Sequence, residues 1–271
     1  MLPGAADSSA DTSDSSAAPP VHRCPIGSRP PAAAARRLVA MILNVLVVRV
    51  FTAEDGRFGN ELGVVLDAAA LPGGLGPRLT AHLGFSETVF VDALTEDGAD
   101  VRIFNPAEEM RLAGHPLVGT ARVLAEATGR EPAVLRPRLS EPVDTWREGE
   151  TTWIRADSKY APDFTFTELA TAAEVEALPV PGVEENRHGQ WWAWIDEAAG
   201  ELRARTFAAP MGIPEDEATG SAALLQAQRH GRALTIRQGR GSIIEARPAR
   251  EPGWSEVGGR VAAEPPRVVE F

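Results

Sequence analysis

Residues 109–121 read Glu-Met-Arg-Leu-Ala-Gly-His-Pro-Leu-Val-Gly-Thr-Ala, and residues 215–223 read Glu-Asp-Glu-Ala-Thr-Gly-Ser-Ala-Ala. Each stretch is a polar, glycine-containing turn that leads into a run rich in alanine and leucine. A helix that begins at such a turn presents N–H groups without an intrahelical partner to any anion above it. Because the pattern occurs twice, the sequence predicts two similar halves that hold one small anionic molecule between them.

The helix expected after the first turn, from Pro116 to about Ala127, is apolar on nearly every side. Such a helix belongs inside a protein, and a barrel of strands around it would bury it. Strand patterns outnumber helix patterns in both halves. The predicted strands are 41–51, 63–66, 88–91, 101–104, 191–195, 202–207, 242–246, 255–261 and 267–271, and the predicted helices are 77–83, 116–127 and 221–230. The fold class is therefore α+β, with two similar halves that are each a barrel-like sheet around a central helix.

The chain divides by composition into a tail and two halves. Residues 1–40 are predicted to be a disordered tail, because this segment is rich in Ala, Ser, Pro and Asp. The N-terminal half is predicted over 41–140 and the C-terminal half over 148–271, with the last strand able to pack back on the first half. The Pro- and charge-rich segment 131–150 is expected to connect them. The apolar run 38–48 could be a secretory signal, but no small-residue cleavage site follows it, so a buried first strand in a cytoplasmic protein is favoured.

The charge and the cysteine content exclude several classes of function. The formal net charge is −11, which repels phosphate backbones and anionic membranes, so no nucleic-acid or membrane partner is expected. Cys24 is the only cysteine, which rules out an intrachain disulfide and a zinc site of several thiolates. It also rules out a racemase that uses two cysteines as opposing bases.

Three titratable side chains adjoin the two turns or the strands that lead to them: Glu87, His115 and Asp216. Each also has a plain structural interpretation, as a strand-end carboxylate, a helix-start residue and a helix cap. Partial burial would raise the pKa of Glu87 into the range where a carboxyl group can both take and give a proton. The helix N-terminus would lower the pKa of His115, and repulsion among the three adjacent acids 215–217 would raise that of Asp216.

Polar groups beside these three residues could bind a substrate. Ser86 can orient Glu87, and Thr219 and Ser221 add hydroxyl groups beside the Gly220 backbone. The histidines show no metal-ligand spacing, and the chain carries no Walker loop, dinucleotide fingerprint or nucleophile elbow. No metal and no cofactor are therefore expected.

Taken together, these motifs resemble the phenazine-biosynthesis PhzF-like family, relatives of diaminopimelate epimerase. The matching stretches fall in one order across residues 42–262. They are 59–65, 86–91, 102–109, 114–121, 205–210, 212–222, 238–242 and 257–259. Asn60, in the first of these stretches, and Ser86, in the second, are candidate substrate-binding residues.

The resemblance implies two similar barrel-like halves with the active site in the cleft between them, isomerisation without a cofactor, and a homodimer. By position, Glu87 matches the proton-shuttling glutamate of the family, and His115 and Asp216 match its two assisting residues. The backbones at Gly114, Gly220 and Ser221 match its substrate-holding groups. The chain departs from the family pattern at Glu61 and Glu217, where proline is common, and at Ala113, and the two acids could alter the charge of the cleft.

The functional hypothesis is an isomerase that moves a proton between carbons of a small carboxylated metabolite, similar to dihydro-hydroxyanthranilate isomerase. Glu87 would be the acid and base. Two alternatives stay open: a two-base racemase that sets Glu87 against Asp216 or His115, and a non-catalytic ligand-binding member of the family.

Overall fold

The computed structural model describes residues 41–182, 184–185 and 187–271, and these residues form 15 β-strands and four α-helices. The predicted disordered tail, 1–40, with Cys24, lies outside the described residues. The first eight strands are β1 (Ile42–Thr52), β2 (Asn60–Val65), β3 (Glu87–Leu94), β4 (Gly98–Phe104), β5 (Glu109–Met110), β6 (Val134–Pro137), β7 (Val143–Glu148) and β8 (Thr151–Asp157). The remaining strands are β9 (Phe166–Glu168), β10 (His188–Asp196), β11 (Glu201–Ala208), β12 (Ile213–Asp216), β13 (Leu234–Gln238), β14 (Ser242–Pro248) and β15 (Trp254–Glu270). The helices are α1 (Leu75–Leu83), α2 (Gly114–Thr128), α3 (Ala172–Glu176) and α4 (Gly220–His230).

The strands of the first half close into a barrel. The hydrogen-bonded order is β1-β2-β3-β4-β6-β7-β8-β15, and β15 pairs with β1 to complete the ring of eight. Helix α2 contacts β1, β2, β3, β7, β8 and β15, and its residues from Gly114 to Ala121 are all buried. The predicted barrel around an almost wholly apolar helix is confirmed, because only a closed sheet can cover a helix on every side.

The second half continues the same sheet in the order β15-β14-β13-β11-β10-β9, with β12 paired to β11. Helix α4 packs against β14 and β15 and meets α2. The predicted α+β class, with one central helix in each half, is confirmed. The boundaries predicted for the two halves, 41–140 and 148–271, stay predictions.

Strand β15 joins the two halves of the sheet. Its beginning, residues 254–259, pairs with β8 and its later part, residues 260–270, pairs with β1. The prediction of two separate strands, over 255–261 and 267–271, is wrong, because the chain runs through Pro265 and Pro266 as one strand. Prolines cannot donate a ladder hydrogen bond, and here they coincide with a register shift between β1 and β15.

The segment 131–150, expected to be a connection, instead carries β6 and β7, which complete the barrel wall. Its prolines suggested a linker because proline disfavours a central strand. In the structure Pro132 precedes the short strand β6 and Pro137 is its last residue. Charged residues on β7 face outward, while Val143 and Thr145 face the interior.

Helix α1 covers the outer surface of the barrel. Leu75, Leu79 and Leu83 pack there against Phe90 and Phe104, away from the helix inside the barrel. Aliphatic burial of this kind contributes about 1.5–3 kcal/mol for each fully buried side chain. The outer layer therefore braces β3 and β4, which begin at or end near the candidate site.

Candidate active site

The N-termini of α2 and α4 touch each other. A Cβ atom added to Gly114 would lie 2.6 Å from the carbonyl carbon of Gly220, and one added to Gly220 would lie 2.9 Å from the Cα of Gly114. Real Cβ atoms do not approach other atoms so closely, so each position requires glycine while the two backbones meet. The two turns, remote in the sequence, thus form one structure in the cleft.

Neither helix start is capped by a described side chain, and neither has an acidic residue in its first turn. Ala113 stands at the N-cap of α2. Thr219 stands at the N-cap of α4, but its hydroxyl is used elsewhere. The first N–H groups of both helices are therefore available to a ligand, and both helix dipoles direct partial positive charge to the same point. This arrangement favours an anionic group such as a carboxylate.

Glu87, His115 and Asp216 are brought together around this point. Glu87 is the first residue of β3, His115 the second of α2 and Asp216 the last of β12, and all three are buried. His115 Nε2 and Glu87 Oε2 face each other at 3.3 Å, yet neither atom has a hydrogen-bond partner among the described residues. Unsatisfied buried polar atoms are rare in folded proteins and are often found where a ligand binds.

Asn60 joins two of the three side chains, Asp216 and His115, to Ser86, the residue before Glu87. Its Nδ2 donates to Asp216 Oδ1 at 2.5 Å and to the carbonyl oxygen of Ala218 at 3.2 Å, and lies 3.5 Å from His115 Nδ1. Its Oδ1 accepts a hydrogen bond from Ser86 Oγ at 3.1 Å. Asn60 and Ser86 were predicted to bind substrate. In the structure their polar groups bind each other and orient the carboxylate and the imidazole.

A second set of hydrogen bonds holds Asp216 from the other side. Thr219 Oγ1 donates to Asp216 Oδ2 at 2.6 Å, and Gln238 Nε2 donates to Thr219 Oγ1 at 2.8 Å and to the Asp216 carbonyl oxygen at 2.9 Å. Asp216 therefore does not cap α4, although a capping role was one interpretation of its position. Local sequence gives no role for Gln238, although its place in the stretch 238–242 is a signal that could have found it.

Burial shifts the pKa values of all three groups. Desolvation and, to a smaller degree, the Asp216 charge raise the pKa of Glu87 to about 8, against the effect of the nearby Ser86 hydroxyl, which lowers it. Desolvation also raises the pKa of Asp216 to about 6, opposed by the hydrogen bonds from Thr219 and Asn60. The pKa of His115 falls to about 3 through desolvation.

The directions of these shifts agree with the expectations, but the causes differ. The neighbouring acids Glu217 and Glu215 are the smallest contributions to the raised pKa of Asp216, behind its burial. For His115, burial rather than the helix N-terminus lowers the pKa. Local sequence shows which charges adjoin a residue, but it does not show how far the residue is removed from water.

The two acids that depart from the family pattern are both neutralised by partners. Glu61 forms ion pairs with Arg49 at 3.0 Å and Arg267 at 3.8 Å. Glu217 accepts hydrogen bonds from Arg240 and from Ser242 Oγ, the latter at 2.9 Å. Neither acid therefore adds an uncompensated charge to the cleft.

Ser242 connects Glu217 to the strand that carries Asn60. Its Oγ also accepts a hydrogen bond from the backbone N–H of Gly59 at 3.0 Å. Phe58 and Gly59 both have positive φ angles, of 64° and 81°. Two consecutive residues in this region turn the chain sharply, and a non-glycine residue there is held by its surroundings. The turn directs Asn60 into the site, and the part played by Ser242 was not predicted from the sequence.

A cleft of about 420 Å³ leads to this cluster. Asn60, Ser86 and Asp216 are among the residues that line it. Within the described residues no three His, Cys, Asp or Glu side chains are arranged to hold a metal ion. Of the helices that the structure describes, none is long and apolar enough to cross a membrane.

Comparison with known proteins identifies the family. Residues 48–139 match the family described as phenazine biosynthesis-like protein. An uncharacterized isomerase of Deinococcus radiodurans is 31% identical over 261 residues, covering 78% of this chain and 84% of that protein. The trans-2,3-dihydro-3-hydroxyanthranilate isomerase of Pseudomonas aeruginosa is 28% identical over 272 residues, covering 80% and 92%.

The fold is also known from solved structures. The phenazine biosynthesis protein of the PhzF family from Bacillus anthracis superposes with a TM-score of 0.67 at 19% identity, covering 85% of this chain and 99% of that one. The Deinococcus protein matches at 31% identity over most of both chains, and this match assigns the chain to a family. The chain belongs to the phenazine biosynthesis PhzF-like family of isomerases.

Proposed function

We propose that the protein moves a proton between two carbon atoms of a small carboxylated metabolite and that Glu87 carries the proton. One observation supports this most strongly. Glu87 Oε2 and His115 Nε2 are buried, face each other at 3.3 Å, and have no hydrogen-bond partner among the described residues, beside two helix N-termini suited to an anion. A substrate carboxylate on the free N–H groups would set its carbon skeleton against these two atoms.

Glu87 suits both halves of a proton transfer. Because its pKa is raised to about 8, about a tenth of the molecules carry the carboxylate at pH 7. The carboxylate removes a proton from a C–H next to an unsaturated or carbonyl group, and the C–H electron pair enters the conjugated system. The protonated Glu87 then returns the proton to another carbon on the same face. Substrate and Glu87 end with the composition they began with.

His115 and Asp216 would manage the polar substituents of the substrate. The pKa of His115 is lowered to about 3, so its imidazole is neutral at pH 7. Asn60 Nδ2 lies near His115 Nδ1, which favours the tautomer with the proton on Nε2, directed toward Glu87 and the substrate. The pKa of Asp216 is about 6, so this carboxylate is mostly ionised at pH 7 and suits an amino group.

The hydrogen bonds of Asp216 favour a single-base proton shift over a two-base racemase. Both of its carboxylate oxygens already accept hydrogen bonds, from Asn60 and from Thr219. Glu87 Oε2 accepts none from a described residue. These hydrogen bonds stabilise the ionised form of Asp216 and lower its basicity, and the pKa of His115, lowered to about 3, makes its imidazole a weak base, so Glu87 serves as the one proton carrier.

We take a trans-2,3-dihydro-3-hydroxyanthranilate-like acid as the trial substrate, because a relative is named for it. The experiment follows this compound by NMR in heavy water with wild-type protein, Glu87→Gln and Glu61→Gln. Glu61 serves as the matched control, since it is an acid at the same cleft that is paired with Arg49. Wild type and Glu61→Gln should form the isomer. Glu87→Gln should lose at least 100-fold in rate and still bind the acid.

Full turnover by Glu87→Gln would overturn the role of Glu87. If the acid binds and no protein in the set exchanges or moves a proton, the ligand-binding alternative holds. Inversion at the starting carbon, without a shift to another carbon, would identify a racemase.

The reaction transfers no electrons to or from the substrate, so the proposal includes no redox cofactor. Activity should survive exhaustive dialysis against a chelator. A homodimer and a cytoplasmic location stay predictions, to be checked by sedimentation and by cell fractionation.

A further inference from the structure

His188 lines the same cavity as Glu87 and Asp216 but has no part in the proposed proton transfer. Phe164, Met110 and Met211 line the cavity as well and give it an apolar wall. His188 Nε2 is closed off from solvent and has no hydrogen-bond partner among the described residues. The imidazole therefore offers an unused polar atom in a largely apolar part of the site.

The register of the sheet gives the distance of His188 from Asp216. Asp216 on β12 pairs with Thr206 on β11, which pairs with Gln190 on β10, and His188 lies two residues before Gln190 on the same face. Strands are about 4.8 Å apart and a strand rises about 3.4 Å per residue, so the Cα atoms of His188 and Asp216 are on the order of 12 Å apart. The cavity that both side chains line has a volume of about 40 Å³, which admits a small substituent such as a hydroxyl group but not a ring, so the ring of a substrate would lie in the adjoining cleft lined by Asp216.

The local backbone fixes the imidazole in place. Thr165 Oγ1 donates to the carbonyl oxygen of His188 at 2.8 Å, and the ring stacks on Phe164 with centroids 5.6 Å apart. Gly189 has a φ of 142°, and a Cβ there would lie 2.3 Å from Thr165 Oγ1, so the chain approaches Thr165 as only glycine allows. An ordered polar side chain of this kind is suited to hydrogen-bonding a polar group of a ligand.

We propose that His188 Nε2 hydrogen-bonds a hydroxyl group of the substrate and thereby selects hydroxylated, unsaturated ring acids over their deoxy analogues. An imidazole nitrogen can donate or accept according to its tautomer, as a hydroxyl group can. An ionised carboxylate such as Asp216 only accepts and suits an amino group. This inference rests on the proposed function, because it assumes that the carboxylate of the acid binds at the two helix starts.

The test measures the dissociation constants of 3-hydroxyanthranilate and anthranilate by calorimetry. These stable acids differ only in the hydroxyl group. Wild type should bind the hydroxylated acid about 10-fold more tightly, as one net hydrogen bond to a neutral group gives. His188→Leu should lose this preference by weakening the hydroxylated acid alone. His188→Gln, whose amide reaches the position of Nε2, should recover part of it.

His188→Asn provides a second test should the leucine variant not fold, because its shorter amide stops short of the cavity and should also lose the preference. An equal loss of affinity for both acids, or no loss for either, would overturn the inference. If wild type turns over its substrate and His188→Leu keeps the 10-fold preference for the hydroxylated acid, the inference is overturned and the proposed function stands. Wild type that binds neither acid and turns over no substrate overturns the proposed function together with it.

Discussion

Gly114 and Gly220 meet backbone to backbone, so that each occupies the space where a side chain of the other would lie. The contact joins the start of the helix inside the barrel to the start of the helix of the second half. It places the free N–H groups of both helices within one site.

Gly114→Ala should therefore damage both stability and activity. The added Cβ would lie 2.6 Å from the Gly220 carbonyl carbon, and the helices can separate only by moving their N–H groups. We expect the free energy of unfolding to fall by about 1–3 kcal/mol, as for overpacked cores. The turnover rate should fall on the order of 100-fold or more, as when an aligned donor is lost. Urea unfolding and steady-state kinetics measure the two effects.

Gly74→Ala is the matched control for that substitution. Gly74 precedes α1, has a φ of −65°, and would have no atom within 4 Å of a new Cβ. Activity should stay at the wild-type level. A Gly114→Ala protein with wild-type kinetics would show that the helix starts do not contribute to the reaction.

Stability should depend on pH through Glu87. Its pKa is raised from 4.5 in the unfolded chain to about 8 in the folded protein, so the folded state binds the proton more tightly. The stabilisation that this proton provides is complete below pH 4.5 and is lost as the pH rises from 4.5 to about 8. Thermal melts between pH 4 and 9 should therefore show a decline that Glu87→Gln reduces.

The comparison of wild type with Glu87→Gln isolates this effect from that of His115, which has the opposite sign. The pKa of His115 is lowered from 6.5 to about 3, so its contribution is lost as the pH falls through this range. His115 is present in both proteins and cancels to first order. Parallel melting curves for the two proteins over pH 4.5–8 would contradict the raised pKa of Glu87.

Asn60→Ala should raise the pKa of Asp216 further. The hydrogen bond from Asn60 to Asp216 Oδ1 is one of two side-chain bonds that stabilise the ionised form. Its removal should shift the acidic limb of the profile of kcat/KM against pH upward and lower activity about 10- to 100-fold. Asn44→Ala on the exposed face of β1 should leave the profile unchanged. An unshifted limb in Asn60→Ala would mean that the limb does not report Asp216.

Ser242→Ala should loosen the turn that directs Asn60 into the site. Ser242 Oγ accepts from the Gly59 N–H and donates to Glu217, and an unsatisfied buried N–H costs about 1–3 kcal/mol. We expect a loss of unfolding free energy in this range and a fall in kcat/KM. Ser140→Ala, which removes a hydroxyl bonded only to an exposed neighbouring carbonyl, should change neither quantity. Wild-type stability in Ser242→Ala would exclude the connection.

The sequence by itself determined the elements that depend on local pattern. The apolar run 41–51, the two alanine- and leucine-rich helices and the strand after Glu87 all appear where periodicity predicts them. Local pattern was misleading at two groups of prolines, where a linker and a break between two strands were predicted. At 131–150 one proline precedes a short barrel strand and another ends it, and at Pro265 and Pro266 the strand continues through a register shift.

The tertiary structure alone decided the closure of the barrel by β15 on β1, the contact of Gly114 with Gly220 and the causes of the pKa shifts. These features depend on which distant segments pair and in which register, and on how completely each group is removed from water. Neighbours in sequence fix neither quantity. The residue types of the site can therefore be read from the chain, whereas the hydrogen bonds that orient Asp216 and the unpaired atom of His188 exist only once the sheets have assembled.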